Sequence, residues 1–177
     1  MPREVTIFAA TDLVFIAVSL AVVVLALQLW PLPRLQLFRW SIAAGLVLLV
    51  SFVLAQLGGT LFDDPRPFVT SHVRPLIAHA PDNGFPSDHA LLAAAVVALV
   101  ALVDPIWAFP FVILAVLIDW ARVGAGIHHV ADVLGSSVVV AIATLIAVFL
   151  TPVIVHWAAP RLPASWRERR LLPLRER

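Results

Sequence analysis

The chain of 177 residues contains no cysteine. That excludes disulfides, thiolate metal sites and a cysteine nucleophile. Lysine is also absent, so all twelve basic residues are arginine. Charge is scarce: Asp, Glu, Lys and Arg make up 13% of the chain, against about 25% in a soluble domain. The net charge of +1 is too small to point to a nucleic-acid partner. What the chain has in excess is apolar residues, at 62% with a mean hydropathy of +1.00. Intrinsic disorder is excluded by that excess. A spanning helix needs about 20 apolar residues, so the roughly 110 present supply about five, which predicts an all-α integral membrane bundle.

Five long apolar segments are legible, at Ile7–Trp30, Phe38–Phe62, Ser87–Val103, Ile106–Val123 and Val130–Trp157. The first is too long for a signal-peptide core and is followed by no small-residue cleavage site, so it is expected to stay in the protein. Polar residues collect in the loop Asp63–Pro86, the link Gly124–His129 and the tail Ala158–Arg177, which holds six arginines and two glutamates. With five crossings, the loop and the link share one face. Arg34, Arg39 and the tail arginines share the other, which the positive-inside rule assigns to the cytoplasm. The loop is thus expected to face outward. Trp30, Trp40, Trp107 and Trp157 fall near segment ends, as interfacial anchors do.

The polar residues on that outward face form three clusters at helix ends. They are Asp64-Pro65-Arg66-Pro67-Phe68, then Phe85-Pro86-Ser87-Asp88-His89, then Arg122, His128 and Asp132. Arginine presents a rigid fork of donors that matches phosphate oxygens. Ser87 opens a helix, where free amides and the positive dipole end favour an anion. His128 and Asp132 are four apart and so share a helix face, which lets the carboxylate orient the imidazole as a nucleophile. His89 is then free to protonate a leaving group. Taken one by one these features are ordinary: an N-cap serine, a snorkelling arginine, a solvated histidine pair. The histidines show no paired spacing of a metal site, so no metal and no cofactor are expected. It is the conjunction that points to phosphoryl transfer.

The order Arg66-Pro67, Pro86-Ser87-Asp88-His89, Arg122-x5-His128-x3-Asp132 resembles the type 2 phosphatidic acid phosphatase superfamily. Asp64-Pro-Arg-Pro-Phe68 and aspartate in place of glycine at Asp88 look most like the bacitracin-resistance-type undecaprenyl pyrophosphate phosphatases of bacterial inner membranes. The similarity covers roughly Leu57 to Ser136. It implies a helical membrane bundle with its site at the outer face. It makes His128 the nucleophile, Asp132 its orienting partner and His89 the general acid, and gives phosphate binding to Arg66, Arg122 and Ser87, with Asp88 beside them. The implied substrate is a polyprenyl pyrophosphate. Other lipid phosphates are the near alternative, and a lipid-binding or flipping protein without turnover is the distant one.

Two positions depart from the superfamily pattern. Gly59 stands where a lysine opens the first motif, and Ala121 where a serine opens the third. Arg74 is the candidate to replace the missing charge. His72, His79 and Asp82 are read as solvated loop residues, with His79 the candidate exception as a second-phosphate contact. Asp119 is expected to pair with Arg122, and Asp12 is read as interfacial.

Overall fold

The computed structural model describes residues 2–71 and 73–167, so His72 and the last arginines of the tail lie outside the described residues. Among the described residues the regular elements are helical. They are α1 (Arg3–Thr11), α2 (Leu13–Leu29), α3 (Arg34–Leu61), α4 (Pro67–Thr70), α5 (Asp88–Ala101), α6 (Pro105–Gly124), α7 (Val130–Ala158) and α8 (Ala164–Arg167), with one 3-10 turn at Ala159–Arg161. Local chemistry sets several starts. Pro33 precedes α3, and Pro105 occupies the first position of α6, where a missing N–H costs nothing. The Asp104 side chain accepts from the Ile106 amide at 2.9 Å and caps the same helix.

The bundle is built inside out relative to a soluble protein. Its buried positions are dominated by alanine, including Ala10, Ala17, Ala93, Ala121, Ala143 and Ala147. Large apolar side chains such as Leu49, Phe52, Val138 and Phe149 point outward. Small residues let membrane helices approach closely, and lipid tails receive the rest. Three helices, α3, α6 and α7 with its 3-10 extension, are long and apolar enough to cross a bilayer, and the pair α1–α2 supplies a fourth if taken as one bent span. The chain is therefore a membrane protein. α5 has 14 residues, fewer than the roughly 20 of a full crossing. It is the central element all the same, packed against α2, α3, α6 and α7.

The first apolar segment differs from the continuous span read at Ile7–Trp30. It breaks at Asp12, and its two halves meet at 48°. The reason is a tertiary contact. The Ala10 carbonyl, which an unbroken helix reserves for the Val14 amide, accepts from Arg122 Nη1 at 3.0 Å. A side chain inserted at the ladder is a known cause of kinks.

Helix directions give the bundle two ends. α3 begins with Arg34 at one end and reaches Gly59 at the other, where α7 starts. α7 returns to the first end, and there Arg34 lies over the Trp166 ring at 5.9 Å. At the opposite end, the neck of the Asp63–Pro86 loop is closed by an antiparallel bridge between Pro65 and Asn83. Asn83 uses its whole amide: Oδ1 accepts from the Asp64 and Phe85 amides at 3.0 and 2.9 Å, and Nδ2 donates to the Gly59 and Phe62 carbonyls at 2.8 Å.

Phe85 anchors the other strand of this neck. Its ring sits between α3 and α7 because both helices offer a glycine there. A Cβ on Gly135 would lie 2.3 Å from the ring, and one on Gly58 2.9 Å. Gly135→Ala is expected to destabilise the protein by about 1–3 kcal/mol through overpacking. It should also lower turnover, because Phe85 carries Pro86-Ser87. Thermal melting in detergent alongside a phosphatase assay checks both, with Gly45→Ala as the control, since nothing lies within 4 Å of a Cβ there.

Candidate active site

The three clusters separated in sequence meet at the loop end of the bundle. His128 lies in the link between α6 and α7, and both arginines converge on one nitrogen of its ring. Arg66 Nη1 is 3.2 Å from Nε2 and Arg122 Nη2 is 3.1 Å from it. A guanidinium only donates, so Nε2 must present its lone pair. The ring proton then resides on Nδ1, which faces Asp132 Oδ2 at 3.3 Å. The same carboxylate oxygen accepts the His129 amide at 2.8 Å, so Asp132 both closes the first turn of α7 and orients the His128 ring. Exposure is 0% at Asp132, 2% at His128, 5% at Arg122 and 6% at Arg66. Little water screens the set.

Each arginine is fixed by backbone. Arg66 Nη1 also donates to the Ile127 carbonyl at 3.0 Å, its Nη2 to Asn83 at 3.4 Å, and its Nε to Asp82 Oδ1 at 2.6 Å. The Arg66 guanidinium holds the Asp82 carboxyl below the usual range. Arg122 is fixed by the Ala10 carbonyl, and its Nε has no protein partner among the described residues. Burial lowers the His128 pKa, and the two guanidinium groups push the same way against the favourable pull of Asp132. Both effects favour the neutral ring.

A further carboxyl stands behind Asp132. Asp64 Oδ2 contacts His129 Nδ1 at 3.1 Å, and Asp64, His129 and Asp132 place ligand-type atoms within 4.8 Å of one another. Asp64 Oδ2 and His129 Nδ1 are engaged with each other and Asp132 Oδ2 with His128 and the His129 amide, while Asp132 Oδ1 has no partner among the described residues. Burial and the neighbouring Asp132 raise the Asp64 pKa, which suits a proton shared between the two carboxyls.

The arginines and His128 open on a cavity of about 510 Å³ that His89, His79, Asp88 and Asp82 also line. The His89 ring stands edge-on to Phe15 at 6.2 Å, and the His79 ring edge-on to His128 at 6.4 Å. Ser87 is fully buried beneath this rim. Its carbonyl accepts the Ser136 hydroxyl at 3.1 Å, while its own Oγ has no partner among the described residues. Arg74 is exposed and lies with Phe68 and Ser71 on another part of the loop, outside the cavity lining. Asp119 makes no ion pair with Arg122 among the described residues, and its Oδ1 has no partner there. It lines an apolar groove between α5, α6 and α7 instead.

The sequence reading missed Asp64, Asn83 and His129 as supports and Gln56 and Thr60 as cavity walls. Asp64 and Asn83 sit in turn-forming surroundings, Asp-Pro and Asn-Gly, which mark a bend but not its partner. Gln56 and Thr60 are four apart on α3, and that spacing alone puts them on one face.

A lone pair held between two guanidinium forks and backed by a buried carboxylate is suited to phosphoryl transfer, and it sits at one end of a helical membrane bundle. Comparison with known proteins agrees. The PAP2 superfamily pattern matches residues 40–157. YbjG of Escherichia coli (strain K12) is 33% identical over 176 residues, covering 98% of this chain and 85% of that protein. The undecaprenyl-diphosphatase BcrC of Bacillus subtilis (strain 168) is 34% identical over 119 residues, 67% of this chain and 62% of that protein. Among solved structures, Aquifex aeolicus LpxE shares the fold, with a TM-score of 0.64 at 20% identity over 84% of this chain and 87% of that one. The chain belongs to the PAP2 superfamily and is a phosphatase of that family.

Asp132→Asn leaves the packing in place but removes the oriented tautomer, so kcat should fall by up to about 10⁴-fold with KM little changed. Asp82→Asn, at an exposed ion pair worth about 0.2–1 kcal/mol, should cost less than about tenfold. Steady-state kinetics on both variants separate the two roles. The depressed His128 pKa gives a second expectation. Protonation removes the nucleophile, so the acid limb of kcat/KM should lie below the ordinary imidazole value of 6.5. A limb at or above that value contradicts it.

Proposed function

We propose that this phosphatase hydrolyses a polyprenyl pyrophosphate, of the undecaprenyl class, to the monophosphate and inorganic phosphate. The observation that carries the chemistry is the His128 Nε2 lone pair between Arg66 and Arg122. The substrate class rests on the relative named undecaprenyl-diphosphatase. The terminal phosphate displaces the imidazole from the two guanidinium groups and takes their hydrogen bonds, with Ser87 and Asp88 beside it. Nε2 attacks the terminal phosphorus in line, the bond to the bridging oxygen breaks, and His89 protonates the departing lipid monophosphate. Water, deprotonated by His89, then cleaves the phosphorus–nitrogen bond and releases phosphate. Positioning and charge stabilisation supply most of the acceleration. His79, whose ring stands beside His128, contacts the second phosphate. Arg74 serves at most to attract the anion from the loop surface.

In the bilayer, α1–α2, α3, α5, α6 and α7 make five crossings, with the short α5 sheathed by its neighbours. The site faces outward from a bacterial inner membrane, and the arginine-bearing end, with the tail, lies in the cytoplasm. This orientation is supported by Arg34, Arg39 and Arg161, which share the end away from the site.

Purified protein should release phosphate from a lipid pyrophosphate in the presence of chelator, and vanadate should inhibit it. His128→Ala should abolish turnover and covalent labelling by radiolabelled substrate. Full activity in that variant, or loss of activity in chelator, overturns the mechanism. A panel including phosphatidylglycerophosphate and phosphatidate tests the substrate separately.

A further inference from the structure

A second cavity, of about 440 Å³, opens at the end of the bundle away from the active site, beside Arg39. It lies between the ends of α2, α5 and α7 and the start of α3. On α3 the nearest lining residues of the two cavities, Ala43 and Ala55, are 12 residues apart, about 18 Å at 1.5 Å per residue, so this cavity is separate from the catalytic one.

Its lining is unusual for what it leaves unpaired. Gln28 Nε2, Trp40 Nε1 and Thr151 Oγ1 are buried with no hydrogen-bond partner among the described residues, and all three residues line this cavity. Thr151 is only 3% exposed. Buried polar atoms are paired in more than about 90% of cases, so three orphans around one space indicate a group that fills it. Two of the three are N–H donors, and an indole N–H can do nothing but donate. Arg39 adds a charged fork and Gln36 a second amide, while no carboxylate lines the space. The missing group is thus rich in acceptors and negatively charged. Leu102 and Val148 complete the wall with apolar surface, which suits a ligand whose anionic head continues into hydrocarbon.

We propose that this cavity binds the phosphodiester head group of an anionic phospholipid in the leaflet opposite the active site. The phosphate oxygens take the Trp40, Gln28 and Thr151 donors and the Arg39 guanidinium, and the glycerol backbone rests on Leu102 and Val148. A lipid seated there would bridge α2, α3 and α7, and the other end of α3 lines the catalytic cavity.

Native mass spectrometry of the full chain in detergent tests this with phosphatidylglycerol, phosphatidylcholine and inorganic phosphate as probes. The expected result is saturable retention of one phosphatidylglycerol, weaker retention of phosphatidylcholine, and at least about a tenfold loss of retention in Trp40→Phe combined with Thr151→Val. That variant lies outside the catalytic machinery and should keep wild-type turnover of a soluble short-chain lipid phosphate, which shows that it is folded. If it does not fold, Arg39→Gln, at an exposed position, serves instead with the same expected loss. Equal retention in wild type and variant overturns the proposal. So does the absence of saturable binding, which would mean a water-filled cavity. Inorganic phosphate binding as well as the lipid also overturns the head-group assignment.

Discussion

Two buried guanidinium groups share one imidazole nitrogen, and the rest of the protein is arranged to make that tolerable. Like charges brought together away from water are costly. Here the cost is offset by backbone: Ala10 holds Arg122, while Ile127 and Asn83 hold Arg66. Each support comes from a different part of the chain. The repulsion that remains is of the kind an anion placed between the two guanidinium groups would relieve. The same field lowers the His128 pKa and keeps its lone pair available.

The features that look irregular follow from holding this set together. The break at Asp12 releases a carbonyl to Arg122. The glycines at 58 and 135 make room for Phe85, which fixes the neck of the loop that carries Asp82 and Asn83. Asn83 ties that neck to the end of α3, and Asp82 reaches the Nε of Arg66. Behind His128, Asp64 and His129 brace the carboxylate that orients its ring. A bundle whose core is mostly alanine has little side-chain mass to lock its helices in register. The polar network at this end supplies directional contacts that such a core lacks.

The membrane context explains why so few polar residues suffice. Where the bundle buries them, their hydrogen bonds are strengthened by the low dielectric, and each unsatisfied one is expensive. That logic makes the unpaired donors around Trp40 and Thr151 as informative as the paired ones around His128.

The sequence by itself determined the helical membrane class, because 62% apolar residues in long runs have no other stable arrangement. It also supplied the candidate reacting set. Arg66, Ser87, His89, Arg122, His128 and Asp132 carry chemistry that is rare among apolar spans, but His128 lies in the link one residue before the α7 cap, so its contact with Asp132 comes from the helix start and not from a shared helix face. Tertiary structure alone decided how the arginines are used. That both point at Nε2, that Arg74 stays outside the cavity while Asp82 enters its lining, and that Asp119 turns to an apolar groove all depend on helix rotation and loop closure. So does the bend at Asp12, caused by a side chain 110 positions further on. Contacts of that kind leave no trace in local propensity or periodicity, because the partner that sets the geometry is distant in the chain.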